Sequence, residues 1–103
     1  MGIRGQYKNK RDANEADLFA IIRGAGIAVE PLDTPCDAVC GFAGHNYLVE
    51  IKNGPKAPLT APQAKFHSTW VGQIVTIRTE EEARAWATNV IKSYPHQFGG
   101  TIS

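Results

Sequence analysis

The sequence predicts an α/β domain whose elements run α-β-β-β-α-β-α around a small mixed sheet. Three observations carry that expectation. Apolar residues recur at helical spacing in three stretches, short β-branched runs lie between them, and capping or turn residues mark the boundaries. A helix between the third and fourth strands makes a crossover, so strand four should lie parallel to a neighbour, while the first three form an antiparallel meander.

The first helix begins after Asp12 or Asn14, either of which can cap it, and runs to about Arg23, where Gly24 and Gly26 stop it. Within it Glu15, Leu18, Phe19 and Ile22 fall on one face, so Glu15 points along the apolar stripe. A carboxylate there needs a partner or a wet cleft, unless it simply complements the positive helix end. Ile27 to Leu32 reads as a strand closed by Pro31 and the turn Asp33-Thr34-Pro35. Asp37 to Phe42 is the second strand, and a hairpin turn over Gly41 to His45, with Gly44, leads into a third at Asn46 to Lys52. Asn53-Gly54-Pro55-Lys56-Ala57-Pro58 is a loop.

Thr60 and Gln63 make a capping box at the start of the second helix, with Pro62 tolerated in its first turn. The helix should reach about Val71, with Gln63, Phe66, His67 and Trp70 on one face and Gly72 as its breaker. Ile74 to Arg78 is the fourth strand. Thr79-Glu80-Glu81-Glu82 then caps a last helix whose Ala83, Trp86, Ala87, Val90 and Ile91 form a packing stripe.

With 103 residues, one domain is expected, taken as residues 12–94 between a basic tail at 1–11 and a flexible, Gly-containing tail at 95–103. The 43% apolar and 20% charged composition argues against disorder and against a fibre. No apolar run is long enough to cross a bilayer, and the charged N-terminus lacks the apolar stretch of an export signal, so a cytoplasmic protein is expected. Cys36 and Cys40 are too few for a disulfide scaffold. If residues 36 to 42 form a strand they share a face opposite Asp37, and they are read as small buried residues without chemistry.

The net charge of +1 hides a division. Arg4, Lys8, Lys10 and Arg11 put +4 into the first eleven residues, leaving −3 for the rest, and residues 51 to 79 hold Lys52, Lys56, Lys65 and Arg78 with no acid. Segregated positive charge suits phosphate neutralisation, although it also serves as a solubilising tail.

The stretch Val49-Glu50-Ile51-Lys52 carries the chemistry. Strand alternation projects Glu50 and Lys52 from one face and Ile51 from the other, and a hairpin can bring Asp37 beside Glu50. Two repelling carboxylates make a seat for a hard divalent cation, to which the Ile51 carbonyl can add an oxygen. Lys52 would orient or help deprotonate the attacking water, and Mg²⁺ would offset charge developing on a phosphate. The plain alternative is a solvated Glu50/Lys52 pair with Asp37 ending a turn.

The order Glu15, Asp37, Glu50-Ile51-Lys52, Gln63 resembles the PD-(D/E)xK nuclease superfamily. Thr60-x-x-Gln63, Gly72, a strand and Arg78 resemble its small VRR-NUC branch and the archaeal Holliday-junction resolvases, the likeness covering about residues 13 to 87. The chain departs from that pattern in reading Pro35-Cys36-Asp37 where the family has Pro directly before Asp, and Ile77-Arg78 in place of Val-Arg-Arg.

The resemblance implies a restriction-endonuclease-like core and Mg²⁺-dependent hydrolysis of DNA, with Mn²⁺ able to substitute. It makes Asp37, Glu50 and the Ile51 carbonyl the metal ligands, Lys52 the catalytic lysine, Glu15 an accessory acid near the metal and Gln63 a helper. It also implies a homodimer acting on branched or duplex DNA, and a small nuclease of this kind resembles those carried by phages. Arg4, Lys8, Lys10, Arg11, Lys56, Lys65 and Arg78 are the expected phosphate contacts. His45 and His67 are each either a general base or a surface histidine, and Trp70 either packs or stacks on a base. A non-catalytic nucleic-acid-binding module and a protein-interaction domain are the competing readings.

Overall fold

The computed structural model describes residues 13–94, so Arg4, Lys8, Lys10, Arg11 and Asp12 lie outside the described residues. The elements are α1 (Glu15–Gly24), β1 (Ala28–Pro31), β2 (Ala38–Phe42), β3 (His45–Ile51), α2 (Ala61–Thr69), β4 (Ile74–Ile77) and α3 (Glu80–Ser93). The order is α-β-β-β-α-β-α, an α/β fold. The sheet is ordered β1-β2-β3-β4, antiparallel across the first three strands and parallel between β3 and β4, as the crossover requires.

Alternation divides the sheet into two unlike faces. Tyr47, Val49 and Ile51 of β3 join Ala38, Cys40, Val29 and Ile77 under α1 and α3, which contribute Leu18, Phe19, Ile22, Ala83, Ala87 and Val90. Leu18 and Ile22 are fully buried, each worth about 1.5–3 kcal/mol in removed apolar surface. The Tyr47 ring meets Trp86 edge-on at 5.4 Å. The opposite face carries Glu50 and receives α2, none of whose residues is buried.

Local chemistry sets the boundaries. Ala43 (φ 56°) and Gly44 (φ 81°) form a two-residue hairpin loop with both central residues left-handed, so His45 already pairs with Phe42 and β3 starts one residue earlier than expected. The second strand starts at Ala38 rather than Asp37. Helix α2 stops at Thr69, two residues short of the expected Val71. There Ser68 and Thr69 donate back to the Lys65 carbonyl at 2.8 and 3.1 Å, and Trp70 turns extended. The Trp70 indole lies against Gly72, where a Cβ would come within 2.8 Å of Nε1, so this glycine makes room for a ring.

Two caps differ from their sequence reading. Asn14 is the N-cap of α1, but its side chain makes no cap bond. Its Nδ2 instead donates to the carbonyls of Lys52 and Arg78, 3.2 Å each, tying the start of α1 to the ends of β3 and β4. At α3, Thr79 accepts from the Glu82 N–H at 3.1 Å, while the Glu82 carboxylate reaches past the cap to the Arg78 N–H at 2.7 Å. No helix among the described residues is long and apolar enough to cross a membrane.

Candidate active site

Asp37 is fixed by the way the β2–β3 ladder ends. The ladder's last pair is Ala38 opposite Val49. One residue upstream, the Asp37 N–H donates to the Val49 carbonyl at 3.0 Å, and its Oδ2 accepts the Ile51 N–H at 2.7 Å. The acid therefore brackets Glu50, bonding to the residue on either side of it. Ile51, expected to offer its carbonyl, meets Asp37 through its N–H.

Glu50 is 4% exposed, the one buried charged residue among the described residues. A buried carboxylate is tolerated only where donors surround it. Gln63 Nε2 donates to Oε2 at 2.8 Å, and a donor atom of Cys36 lies within 4.8 Å of one of Glu50. Burial first, then the negative charges of Glu50 and Asp37, push the Cys36 thiol up to about 12.

Lys52 leaves β3 on the same face as Glu50, and its Nζ donates to Gln63 Oε1 at 3.2 Å. Its main chain is held twice, the N–H on Ile77 O at 3.0 Å and the carbonyl by Asn14. Gln63 is thus the hub. Its Oε1 also accepts the Thr60 N–H at 2.8 Å, and its own N–H donates to Thr60 Oγ1 at 3.3 Å. The capping box that starts α2 is also the device that aims an amide at an acid and an amine.

Glu15 stands in the first turn of α1, half-buried and next to Asn14, at the end of the sheet where β3 delivers Lys52. Among the expected phosphate contacts, Lys56 and Lys65 are exposed. Arg78 is half-buried and donates from Nε to the Ala57 carbonyl at 2.9 Å, holding the β3–α2 loop against the end of β4. His45 is five residues from Glu50, roughly 16 Å along the strand, and stacks on Tyr94 at 4.2 Å. Trp70 stacks on Phe66 at 5.4 Å and remains 43% exposed.

His67 follows Gln63 by one helical turn and shares its face. Its Nε2 is buried with no hydrogen-bond partner, and burial, then the charge of Arg78, hold the imidazole below its ordinary pKa. Donor atoms of Cys36, Glu50 and His67 all lie within 4.8 Å of one another.

Cys36 and Cys40 are both buried, as expected, but the shared strand face expected of them is not found. The two do not share surroundings, because the strand starts at Ala38 and its alternation does not extend to residue 36. Cys40 lies in the helical core, whereas Cys36 joins Glu50 on the other side. The signal that finds His67 is its i+4 spacing from Gln63; nothing in the local sequence marks Cys36.

The donor chemistry at Asp37 and Glu50 suits a hard divalent cation. Glu50 is a buried carboxylate joined to the Lys52 amine through Gln63, Asp37 is a second acid held on the N–H of the residue after Glu50, and carboxylate oxygen is the ligand such ions prefer. Compared with protein-family models, curated proteins and solved structures, the chain gives no match.

Proposed function

We propose that this chain is a metal-dependent endonuclease that hydrolyses phosphodiester bonds in DNA, with branched DNA as its preferred substrate. One observation carries the reading: the Gln63 amide joins Lys52 Nζ to the buried Glu50 carboxylate, while Asp37 accepts the N–H of the following residue, Ile51. A mere solvated strand pair would have neither a buried acid nor a glutamine committed to both partners. The PD-(D/E)xK resemblance of the same residues supports it.

Asp37 and Glu50 are the residues that would hold Mg²⁺ or Mn²⁺, with Glu15 and the Ile51 carbonyl as further oxygens. The ion supplies compensation for charge on the phosphate. Lys52 orients the attacking water, which gives its proton to solvent as the new P–O bond forms; the departing oxygen is protonated from solvent. Gln63 fixes the distance between amine and acid, and Glu15 adds negative charge at the same end of the sheet. Lys56, Lys65 and Arg78, with the basic residues 4 to 11, bind phosphates along the duplex. A single domain of this size offers little surface against the roughly 1,000 Å² that specific DNA interfaces bury, so the working form is a homodimer acting in the cytoplasm.

The test is incubation with labelled linear, flapped and four-way DNA, with Mg²⁺, with Mn²⁺ and with chelator. Divalent-dependent cutting concentrated on the branched forms is expected. Salt-sensitive binding without cutting would give the chain to the non-catalytic module, and neither binding nor cutting to the interaction domain.

A further inference from the structure

A second set of donors meets at Glu50, and its chemistry differs from that of the paired carboxylates. Cys36 comes from the segment before β2, Glu50 from β3 and His67 from α2, and one donor atom of each lies within 4.8 Å of the other two. Cys36 and Glu50 are buried and His67 half-buried. Nε2 of His67 is shut off from solvent with nothing bonded to it. A buried polar nitrogen in that condition costs stability unless something occupies its lone pair or takes its proton.

We propose that Cys36, Glu50 and His67 form a Zn²⁺ site. Sulfur, imidazole nitrogen and carboxylate oxygen are the three ligand types zinc takes up together, whereas Mg²⁺ and Ca²⁺ keep to oxygen. Donors around a tetrahedral zinc stand about 3.3–3.8 Å apart, from metal–ligand distances of about 2.0–2.3 Å. Closing the triad onto the ion therefore takes a shift of about 1 Å. Helix α2 buries none of its residues and can move His67 by that amount. Three protein ligands leave the fourth position open, and uptake of the ion releases the thiol proton to solvent. The Zn²⁺ site does not rest on the nuclease reading. Where that reading also holds, the two ions compete, because Glu50 serves both donor sets.

Metal-free full-length protein is titrated with Co²⁺ and then Zn²⁺, without DNA or Mg²⁺. The expected result is a near-ultraviolet thiolate-to-cobalt charge-transfer band at one equivalent, chased by Zn²⁺, and a Zn²⁺-dependent rise in the melting temperature of the wild type. Cys36→Ser removes the band and weakens Zn²⁺ at least tenfold, His67→Gln weakens it at least tenfold, and Cys40→Ala keeps the band. A wild type with no band and no thermal shift overturns the site, as does a band that survives Cys36→Ser. Failure of DNA cutting in the separate nuclease assay leaves this result standing, and the reverse also holds.

Discussion

One amide group joins Lys52 to Glu50: Gln63 accepts from the Lys52 ammonium at 3.2 Å and donates to the Glu50 carboxylate at 2.8 Å. Thr60 fixes the same glutamine through the capping box. Positioning and helix capping are therefore separable by mutation. Gln63→Ala should lower DNA cutting at least tenfold. Thr60→Ala should cost about 1 kcal/mol of stability while keeping most of the cutting. Cutting assays and urea melts on both variants check this; equal losses of cutting would reduce Gln63 to a cap.

Lys52→Ala should leave the fold and divalent binding largely intact and abolish cleavage. Its main-chain bonds to Ile77 and Asn14 do not involve the side chain. Circular dichroism, Mn²⁺ binding and a cleavage time course form the comparison. Undiminished Mg²⁺-dependent cutting would remove the lysine from the mechanism.

Asn14 closes two carbonyls at the ends of parallel strands with one amide. Asn14→Ala should destabilise the protein by about 1–2 kcal/mol through the loss of two hydrogen bonds, and Asn14→Asp by more, since a carboxylate would then face two carbonyl oxygens. Urea midpoints rank the three proteins. An Asp variant as stable as wild type would contradict the geometry.

Alkaline pH should erode stability. Burial raises the Cys40 thiol from 9.0 to about 11, partly countered by Arg23. Between those values the folded chain keeps a proton that the unfolded chain has released, so this contribution is intact below pH 9.0 and is lost as pH rises through about 11. Burial and the Tyr94 hydroxyl, 3.0 Å from its own, raise Tyr47 to about 12 and extend the trend. Melting temperatures from pH 8 to 10.5 should fall more steeply in wild type than in Cys40→Ala, and parallel slopes would refute the assignment.

Period and punctuation made most of the architecture legible. Leu18, Phe19 and Ile22 at helical spacing found part of the core, and alternation put Glu50 and Lys52 on one face and Ile51 on the other, where it joins that core. Boundaries were less legible because side chains with two possible uses decide them. Asn14 could cap or reach across, and its reach of 38 and 64 residues along the chain is a tertiary fact. Cys36 escaped for a related reason: alternation assigns faces only inside a ladder, and this thiol sits just outside one.

Helix α2 contributes polar bonds through Gln63 but no fully buried residue, so its adhesion to the sheet and the assembly of the Lys52–Gln63–Glu50 group go together. That group can then come apart in a partial opening that leaves the apolar interior shut. Amides of α2 should exchange with solvent well before those of α1 and α3, and an ion gripping His67 would act as a clasp that slows them.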